Sequence, residues 1–136
     1  MSRFPEQRLW DRIRKNLGRE VHIERIENSV AAGTPDTLVI YKGNVLFVEH
    51  KEAERPAKET TRLQWRHPLT PQQRNWHLLW HQNGGRSCVL IGVERELFAL
   101  PGRKVDEITA MPFAVMKAWR VDYISLTLIY QGAMKL

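Results

Sequence analysis

Residues 33–51 read GTPDTLVIYKGNVLFVEHK, two apolar runs on either side of a short polar turn. The runs at residues 36–41 and 45–52 each predict a β-strand, because β-branched and aromatic residues are frequent in them. Between the runs, Lys42-Gly43-Asn44 supplies residues that tolerate a tight turn. The stretch therefore predicts an antiparallel hairpin.

Three polar side chains of this hairpin are expected to meet. Glu49 and Lys51 are two positions apart on a strand, so their side chains project from the same face. Folding the hairpin brings Asp36 opposite Glu49, His50 or Lys51, and directly opposed residues have Cβ atoms about 4.5–5.5 Å apart. Pairing with Glu49 or Lys51, or a local bulge, is needed to place Asp36 on their face.

Two carboxylates held this close repel each other unless a cation or a shared proton offsets their charge. Their oxygen ligands favour Mg²⁺, which takes one or two carboxylates together with water and phosphate oxygens. A simpler alternative is an exposed hairpin in which Asp36 caps a turn and Glu49 pairs with Lys51. The position of Glu49 and Lys51, directly after the apolar run 45–48, favours the metal site.

The overall composition indicates a basic globular domain. The chain has 136 residues, a formal net charge of +6 and a pI near 9.8. Its length fits one domain, with a core at residues 5–100 and an extension at 101–136, and its 43% hydrophobic content is enough to build a core. The positive charge favours a polyanionic partner, since lysine and arginine neutralise phosphates.

The cysteine content and the absence of long apolar stretches indicate the compartment. One cysteine, Cys88, lies in an apolar run, which predicts a buried thiol and excludes a disulfide framework or a cysteine zinc site. The first residues have no apolar signal core, and no stretch approaches the roughly 18 apolar residues of a membrane helix. We therefore expect a soluble, cytoplasmic protein.

A helix is predicted at residues 5–17, with an acid on its apolar face. At about 100° per residue, Glu6 lies on the same face as the apolar stripe. A carboxylate buried there would need a metal, a lysine or a water network as its partner. Alternatively, Glu6 is a hydrated first-turn acid that the helix dipole favours. The stripe consists of Leu9, Trp10, Ile13 and Leu17.

A strand is predicted at residues 21–27, and it carries two acids, Glu24 and Glu27, that rival Glu6 as a third carboxylate. The residues that follow, 28–35, are small enough to let the backbone approach a ligand closely.

Residues 52–68 are polar and basic, and they are the predicted nucleic-acid contact. The interleaved Trp65 could stack on a base while the basic side chains hold the backbone. The alternative is a solvated loop without a partner. The basic candidates are Arg55, Lys58, Arg62 and Arg66.

A second helix is predicted to begin after Thr70, which fits an N-cap, and to end at Gly84-Gly85. Pro71 suits the first helical position, and Gln73 suits the partner position of a capping box. Two interpretations of Gln73 are open: it caps the helix only, or it also reaches the site at the hairpin.

The second helix has a predicted core face and two histidines. His77 and His81 are four positions apart, a spacing that can bind zinc, but a third ligand is missing from the pattern. Surface histidines are therefore expected. The predicted core face consists of Trp76, Leu79 and Trp80.

The remaining chain completes an α/β pattern. A strand at residues 86–93 after the second helix predicts a parallel, right-handed βαβ crossover. Residues 97–100 are expected either to continue the sheet or to turn at Pro101-Gly102. Residues 105–119 predict helix interrupted by Pro112, and the alternating pattern of 123–130 predicts a strand. The expected fold is a mixed central β-sheet, an antiparallel hairpin plus a βαβ crossover, flanked by helices.

These elements, in this order, resemble the PD-(D/E)xK nuclease superfamily, which has the restriction-endonuclease-like fold. Within it, the chain resembles VRR-NUC nucleases and archaeal-type Holliday junction resolvases. The resemblance covers about Glu6 to Val93. It rests on a helix with an acid, residues 33–36, the hairpin, residues 49–51, and residues 69–73 opening the second helix.

The resemblance implies a role for each site residue. Asp36 and Glu49 would be metal ligands, with the backbone carbonyl of His50 as a third, and Lys51 would be the catalytic lysine. The His50 side chain departs from the pattern, in which an apolar residue usually fills this position. Two further family positions, the helix acid and a glutamine, correspond to Glu6 and Gln73.

The resemblance further implies a DNA endonuclease that uses Mg²⁺, with Mn²⁺ as a substitute, and selects branched or Holliday junction DNA. A homodimer is expected, because a four-way junction presents two related strands. The residues fit this chemistry, because the attacking water must be activated and the negative charge that develops on the phosphate must be stabilised by nearby positive charge. The alternative is a non-catalytic nucleic-acid-binding module on a nuclease fold. A third possibility is an RNA nuclease, which only the resemblance to DNA nucleases disfavours.

Overall fold

The computed structural model describes residues 5–17, 20–26 and 32–136, with side chains from Arg8 onward. Within these residues the helices are α1 (Pro5–Asn16), α2 (Pro71–Gln82), α3 (Val105–Ile108), α4 (Phe113–Met116) and α5 (Tyr123–Tyr130). The strands are β1 (His22–Arg25), β2 (Thr37–Tyr41), β3 (Asn44–Glu54), β4 (Gln64–Trp65), β5 (Ser87–Val93), β6 (Glu96–Pro101) and β7 (Arg120–Val121).

The strands form one mixed sheet in the order β1-β2-β3-β5-β6-β7, with β4 paired to β3. The neighbours β3 and β5 run parallel and are connected through α2. The other strand pairs are antiparallel. The predicted fold class, a hairpin plus a parallel βαβ unit in a mixed sheet flanked by helices, is confirmed.

The turn between β2 and β3 contains two residues, because Tyr41 pairs with Asn44. Lys42 and Gly43 have φ values of 46° and 84°. Positive φ at both central residues is typical of the turn type whose twist matches two antiparallel strands, and it fixes the register of the hairpin.

The sheet separates two apolar layers, since successive side chains of β3 and β5 point to opposite faces. On the first face, called the α1 face, helices α1 and α5 cover Val48, Cys88 and Leu90. On the second, called the α2 face, α3 and α4 pack with Leu78 of α2 over Ala53, Val89 and Ile91. The α1 stripe is buried as predicted, at Leu9, Ile13 and Leu17.

The cysteine lies in the first of these layers. Cys88 is fully buried and unpaired by disulfide, as the sequence predicts. Burial raises the pKa of its thiol to about 12. The thiol is therefore an uncharged part of the core.

Residues 123–130 form helix α5, so the strand predicted there is wrong. Asp122 caps the helix by accepting a hydrogen bond from the Ser125 nitrogen at 2.7 Å, and this bond lowers the pKa of Asp122. Along the helix the side chains of Leu126, Ile129 and Tyr130 are buried on one face. The apparent alternation arises because Ile124, which is 75% exposed, and Leu128 happen to be apolar as well.

The core face of α2 also differs from its prediction. His77 is buried and Leu79 is 50% exposed, whereas the sequence pattern places Leu79 inside and His77 on the surface. Trp76 and Trp80 do pack inward, with each ring 5.0 Å from the ring of Phe47. The helix therefore places His77, and not Leu79, in the core. His81 is exposed as predicted.

None of the helices in the described part of the chain is both long and apolar enough to cross a membrane.

Candidate active site

Asp36 stands at the start of β2, facing the middle of β3. Thr37 pairs with Val48, so the next position of the same register places Asp36 opposite Glu49. The Oδ2 atom of Asp36 accepts a hydrogen bond from the backbone nitrogen of His50 at 2.9 Å. Its backbone carbonyl accepts one from the nitrogen of Ile26 at 2.6 Å. These two bonds hold the carboxylate beside β3, in the first of the registers considered from the sequence.

Glu49 and Lys51 flank His50 on β3, and both side chains belong to the α2 face by strand alternation. Their exposed fractions are 2% and 5%. Burying a carboxylate or an ammonium group costs several kcal/mol unless other charges or ligands compensate. Two buried ionisable side chains beside Asp36 therefore form a polar site within the sheet, and their burial does not fit the exposed-hairpin alternative.

Gly33 joins the loop before Asp36 to the first turn of α2. It is buried, has a φ of 92°, and lies so close to α2 that an added Cβ would be 2.3 Å from the carbonyl oxygen of Gln72. Only glycine suits both this conformation and this approach. The contact brings the start of α2 next to the loop that carries Asp36.

Gln73 performs the capping function predicted for it. Its nitrogen donates to Thr70 Oγ1 at 3.1 Å, and its Oε1 accepts from the Thr70 nitrogen at 3.0 Å. The side-chain oxygen is therefore engaged in the capping box. A catalytic role for Gln73 stays a prediction that would depend on its amide nitrogen.

The side chain of His50 lies on the opposite side of the sheet from Glu49 and Lys51. Its ring centroid is 6.0 Å from that of Trp10, and the Arg25 guanidinium lies 5.9 Å from the Trp10 ring. Burial lowers the pKa of His50 to about 4, while Asp36 raises it and Arg25 lowers it by smaller amounts. The imidazole is thus a neutral packing group against α1 at pH 7. No local pattern in the sequence indicates its neighbours Trp10 and Arg25.

The position of a third acid differs among the three candidates. Glu24 is exposed on β1, where its Oε1 lies 3.0 Å from Nε2 of His22. Glu6 belongs to α1, but its side chain lies outside the described residues, as does the whole of Glu27. Its exposure and its partner make Glu24 a poor match to a buried site.

Asp36 and Glu49 are the side chains at this site that could hold a metal ion. Within residues 8–17, 20–26 and 32–136, no group of three His, Cys, Asp or Glu side chains is arranged to hold a metal. Asp36 and Glu49 provide two carboxylates, and Mg²⁺ commonly takes one or two with water and phosphate completing its shell.

The basic segment before α2 is anchored to α4. The nitrogens of Phe113 and Ala114 donate to the carbonyls of Thr61 and Glu59, both at 2.9 Å. Lys117 also forms an ion pair with Glu59. The segment is therefore a fixed part of the surface on the α2 face.

The four basic candidates of this segment differ in their partners. Arg55 pairs with Glu96 and with Glu94, the latter at 3.4 Å, and Arg66 lies 3.8 Å from Glu54. Lys58 and Arg62 are exposed, and neither forms an ion pair with any described residue. Lys58 and Arg62 are thus the better available pair for an external anion.

Comparison with known proteins gives a match at the level of structure. No protein-family model and no curated protein sequence matches the chain. Among solved structures, the chain is similar to Hjc, a Holliday junction resolvase from the archaeal hyperthermophile Archaeoglobus fulgidus. The TM-score is 0.59 at 14% sequence identity, over 92% of this chain and 97% of that chain. The likeness extends beyond the residues that carry the sequence resemblance. The chain therefore has the restriction-endonuclease-like fold.

Proposed function

We propose that this protein is a metal-dependent DNA endonuclease that hydrolyses phosphodiester bonds. The observation that supports this most directly is the hydrogen bond from the backbone nitrogen of His50 to the carboxylate of Asp36, on a strand that buries the side chains of Glu49 and Lys51. This arrangement would provide two metal ligands and a cation, on a fold that also occurs in a resolvase. The activity and its metal ion are both part of the proposal.

In the proposed mechanism Asp36 and Glu49 would hold Mg²⁺, and the backbone carbonyl of His50 would be a further ligand. A bound divalent ion supplies positive charge that lowers the pKa of a coordinated water and offsets charge on the phosphate. The bond from the His50 nitrogen fixes one oxygen of Asp36, so this ligand is oriented before substrate arrives. Glu6 remains the proposed additional acid.

Lys51 is the proposed catalytic lysine. Its ammonium group would donate a hydrogen bond to the attacking water and offset negative charge that develops on the phosphate. Such charges act most strongly where water is excluded, and Lys51 is almost completely buried. The amide nitrogen of Gln73, at the start of α2, is proposed to assist in positioning the water.

The proposed substrate is branched DNA. The similar structure is named as a Holliday junction resolvase, and the net charge of +6 suits a phosphate backbone. Lys58 and Arg62 would contact that backbone, while Arg55 and Arg66 hold the segment in place through their ion pairs. A homodimer would present two such sites to the two related strands of a four-way junction.

Cleavage of a DNA panel tests the proposal. Linear duplex, flapped, single-stranded and four-way junction DNA would be incubated with Mg²⁺, with Mn²⁺ or with chelator, beside a matched RNA. We expect metal-dependent cleavage, strongest on the junction, that is lost in Asp36→Asn and Glu49→Gln. Asp106→Asn is the matched control, because it removes an exposed carboxylate that forms no ion pair with any described residue.

Two outcomes contradict the proposal. Cleavage that persists in chelator, or in both carboxylate variants, would exclude the assigned metal site. Tight DNA binding without cleavage of any substrate in either metal would instead identify a non-catalytic binding module.

A further inference from the structure

A cavity of about 280 Å³ opens at the end of the sheet where β3 and β5 begin. Its wall includes Leu46 and Ser87, the Gly102 turn after β6, and the side chains of Arg86 and Arg103. Leu46 precedes Glu49 by three residues, which along a strand is about 10 Å. The cavity is therefore separate from the candidate active site.

The charge of this cavity is strongly one-sided. Arg86, Arg103 and Lys135 line it together with His81, and none of its lining residues is an Asp or Glu. Among the described residues, Arg86 and Lys135 form no ion pair with an Asp or Glu side chain. Arg103 donates one hydrogen bond of 3.3 Å from Nη1 to a main-chain oxygen of Leu136, and its other guanidinium N–H groups form no hydrogen bond with a described residue. Cations gathered in a concavity repel one another and attract a counter-anion.

A buried hydroxyl group completes the wall. Ser87 is 8% exposed, and its Oγ lies 2.7 Å from Nδ1 of His77. Burial lowers the pKa of His77 to about 4, so the ring is neutral at pH 7. Its Nε2 atom is buried and has no hydrogen-bond partner among the described residues.

The proton of His77 belongs on Nδ1, because orphaned buried N–H groups are rarer than orphaned acceptors. In this tautomer Nδ1 donates to Ser87 Oγ, which leaves the hydroxyl hydrogen of Ser87 available to a ligand. Gly102 makes this arrangement possible, since an added Cβ would lie 1.8 Å from Ser87 Oγ. The cavity therefore offers three cations and one oriented hydroxyl donor.

We propose that this cavity binds a phosphate group, carried either by a nucleotide or by a nucleic-acid backbone. Phosphate oxygens accept several charge-assisted hydrogen bonds at once, and arginine is the side chain best suited to make them. The absence of Asp and Glu side chains from the lining, beside three cationic side chains, favours an anion over a cation or a neutral sugar. The inference does not depend on the nuclease activity proposed above.

Isothermal titration calorimetry in the presence of chelator tests the site. The probes are inorganic phosphate, adenosine 5′-monophosphate and the dinucleotide TpT, with adenosine as the ligand that lacks phosphate. We expect the phosphate-bearing probes to bind and adenosine not to bind. Arg86→Gln and Arg103→Gln should each weaken binding about tenfold, the effect of losing one charge-assisted hydrogen bond.

Control variants separate the cavity from the general charge and from the active site. Arg14→Gln removes an exposed arginine of α1 outside the cavity and should leave affinity unchanged. Glu49→Gln should also leave it unchanged, so phosphate binding and DNA cleavage can fail independently.

Binding of TpT would assign the site to backbone phosphates, whereas binding of the monophosphate without TpT would assign it to a terminal phosphate. No binding by any phosphate probe, or undiminished binding in both cavity variants, would overturn the proposal.

Discussion

At the scale of single residues, Lys51 combines a high cost of burial with a proposed catalytic role. Lys51→Met keeps the shape of the side chain and removes its charge, so we expect kcat for DNA cleavage to fall by about 10²–10³-fold. Stability should decrease, because removing the ammonium group leaves the buried carboxylate of Glu49 without that compensating charge. Cleavage rates and urea unfolding curves measure the two effects separately.

The matched control is Lys42→Met, at the exposed turn of the same hairpin. This variant should cleave at the rate of the natural protein. If Lys51→Met cleaved equally fast, Lys51 would have a structural role only.

His77 should make stability depend on pH in the weakly acidic range. Its pKa falls from the ordinary value of 6.5 to about 4 on folding, so the unfolded chain binds more protons between these values. The contribution of His77 to the free energy of unfolding is therefore complete above pH 6.5 and is lost as the pH falls toward 4. Between pH 7 and pH 5 the contribution of His77 should decrease by about 2 kcal/mol.

Urea unfolding of His77→Asn at both pH values tests this dependence. The asparagine amide can replace Nδ1 as a partner of Ser87 but does not titrate, so the loss of stability at pH 5 should shrink by the stated amount. His81→Asn changes an exposed histidine on the same helix and should leave the loss unchanged.

The residues of the candidate site could be predicted from strand periodicity, but the burial of His77 could not. The two-residue repeat puts Glu49 and Lys51 together, and the turn fixes the register that brings Asp36 to them. The His77 ring is buried because Gly102 leaves space for it and Ser87 is its hydrogen-bond partner. Those neighbours are distant in the chain, so no local pattern reveals them.

At the scale of elements, Gly33 determines how α2 meets the loop before β2. Gly33→Ala would force a Cβ within 2.3 Å of the Gln72 carbonyl oxygen in addition to straining a positive φ. Gly43→Ala adds the same kind of strain, at a φ of 84°, where nothing lies within 4 Å of the new Cβ. Comparison of the two variants isolates the contact with α2.

We expect Gly43→Ala to cost about 1 kcal/mol of unfolding free energy and Gly33→Ala about 3 kcal/mol or more. Urea unfolding measures both values. Gly33→Ala should also reduce cleavage, since the start of α2 would move away from Asp36. Equal costs for both variants would mean that the loop and α2 separate without penalty.

The hairpin and the βαβ unit could be predicted because their signals are local. Turn residues, apolar runs and the capping box at Thr70 all lie within the elements that they define. Helix α5 could not be predicted by periodicity, because an apolar segment of eight residues satisfies either period. Its signals are the cap Asp122 and Gly132, whose φ of 78° and bond to the Ile129 carbonyl end the helix.

At the scale of the whole molecule, the positive charge should make DNA binding strongly dependent on salt. Removing one phosphate contact reduces the slope of log K against log salt concentration by about 0.9. We expect this reduction in Lys58→Gln and in Arg62→Gln, since both side chains are exposed without ion pairs to the described residues. Fluorescence anisotropy at several salt concentrations measures the slope.

Arg55→Gln is the contrasting variant, because Arg55 pairs with Glu94 and Glu96. It should leave the slope nearly unchanged. A reduced slope in Arg55→Gln but not in the other two variants would place the DNA on a different surface.

The two apolar layers could be anticipated only in part from the sequence. Strands β3 and β5 supply both layers, as their apolar runs indicate. The residues beyond 101 contribute more than their pattern indicates, because α3 and α4 complete one layer and α5 completes the other. These short helices have little periodicity of their own, and their positions follow from the surfaces they cover.

The burial of Cys88 gives the protein an internal reporter of its own unfolding. The chain contains one cysteine, on a strand between β3 and β6, with a thiol pKa of about 12. Only a thiolate exposed to solvent reacts with alkylating reagents, so the folded molecule should resist labelling. The rate of modification therefore measures how often the centre of the sheet opens to water, and no engineered probe is needed.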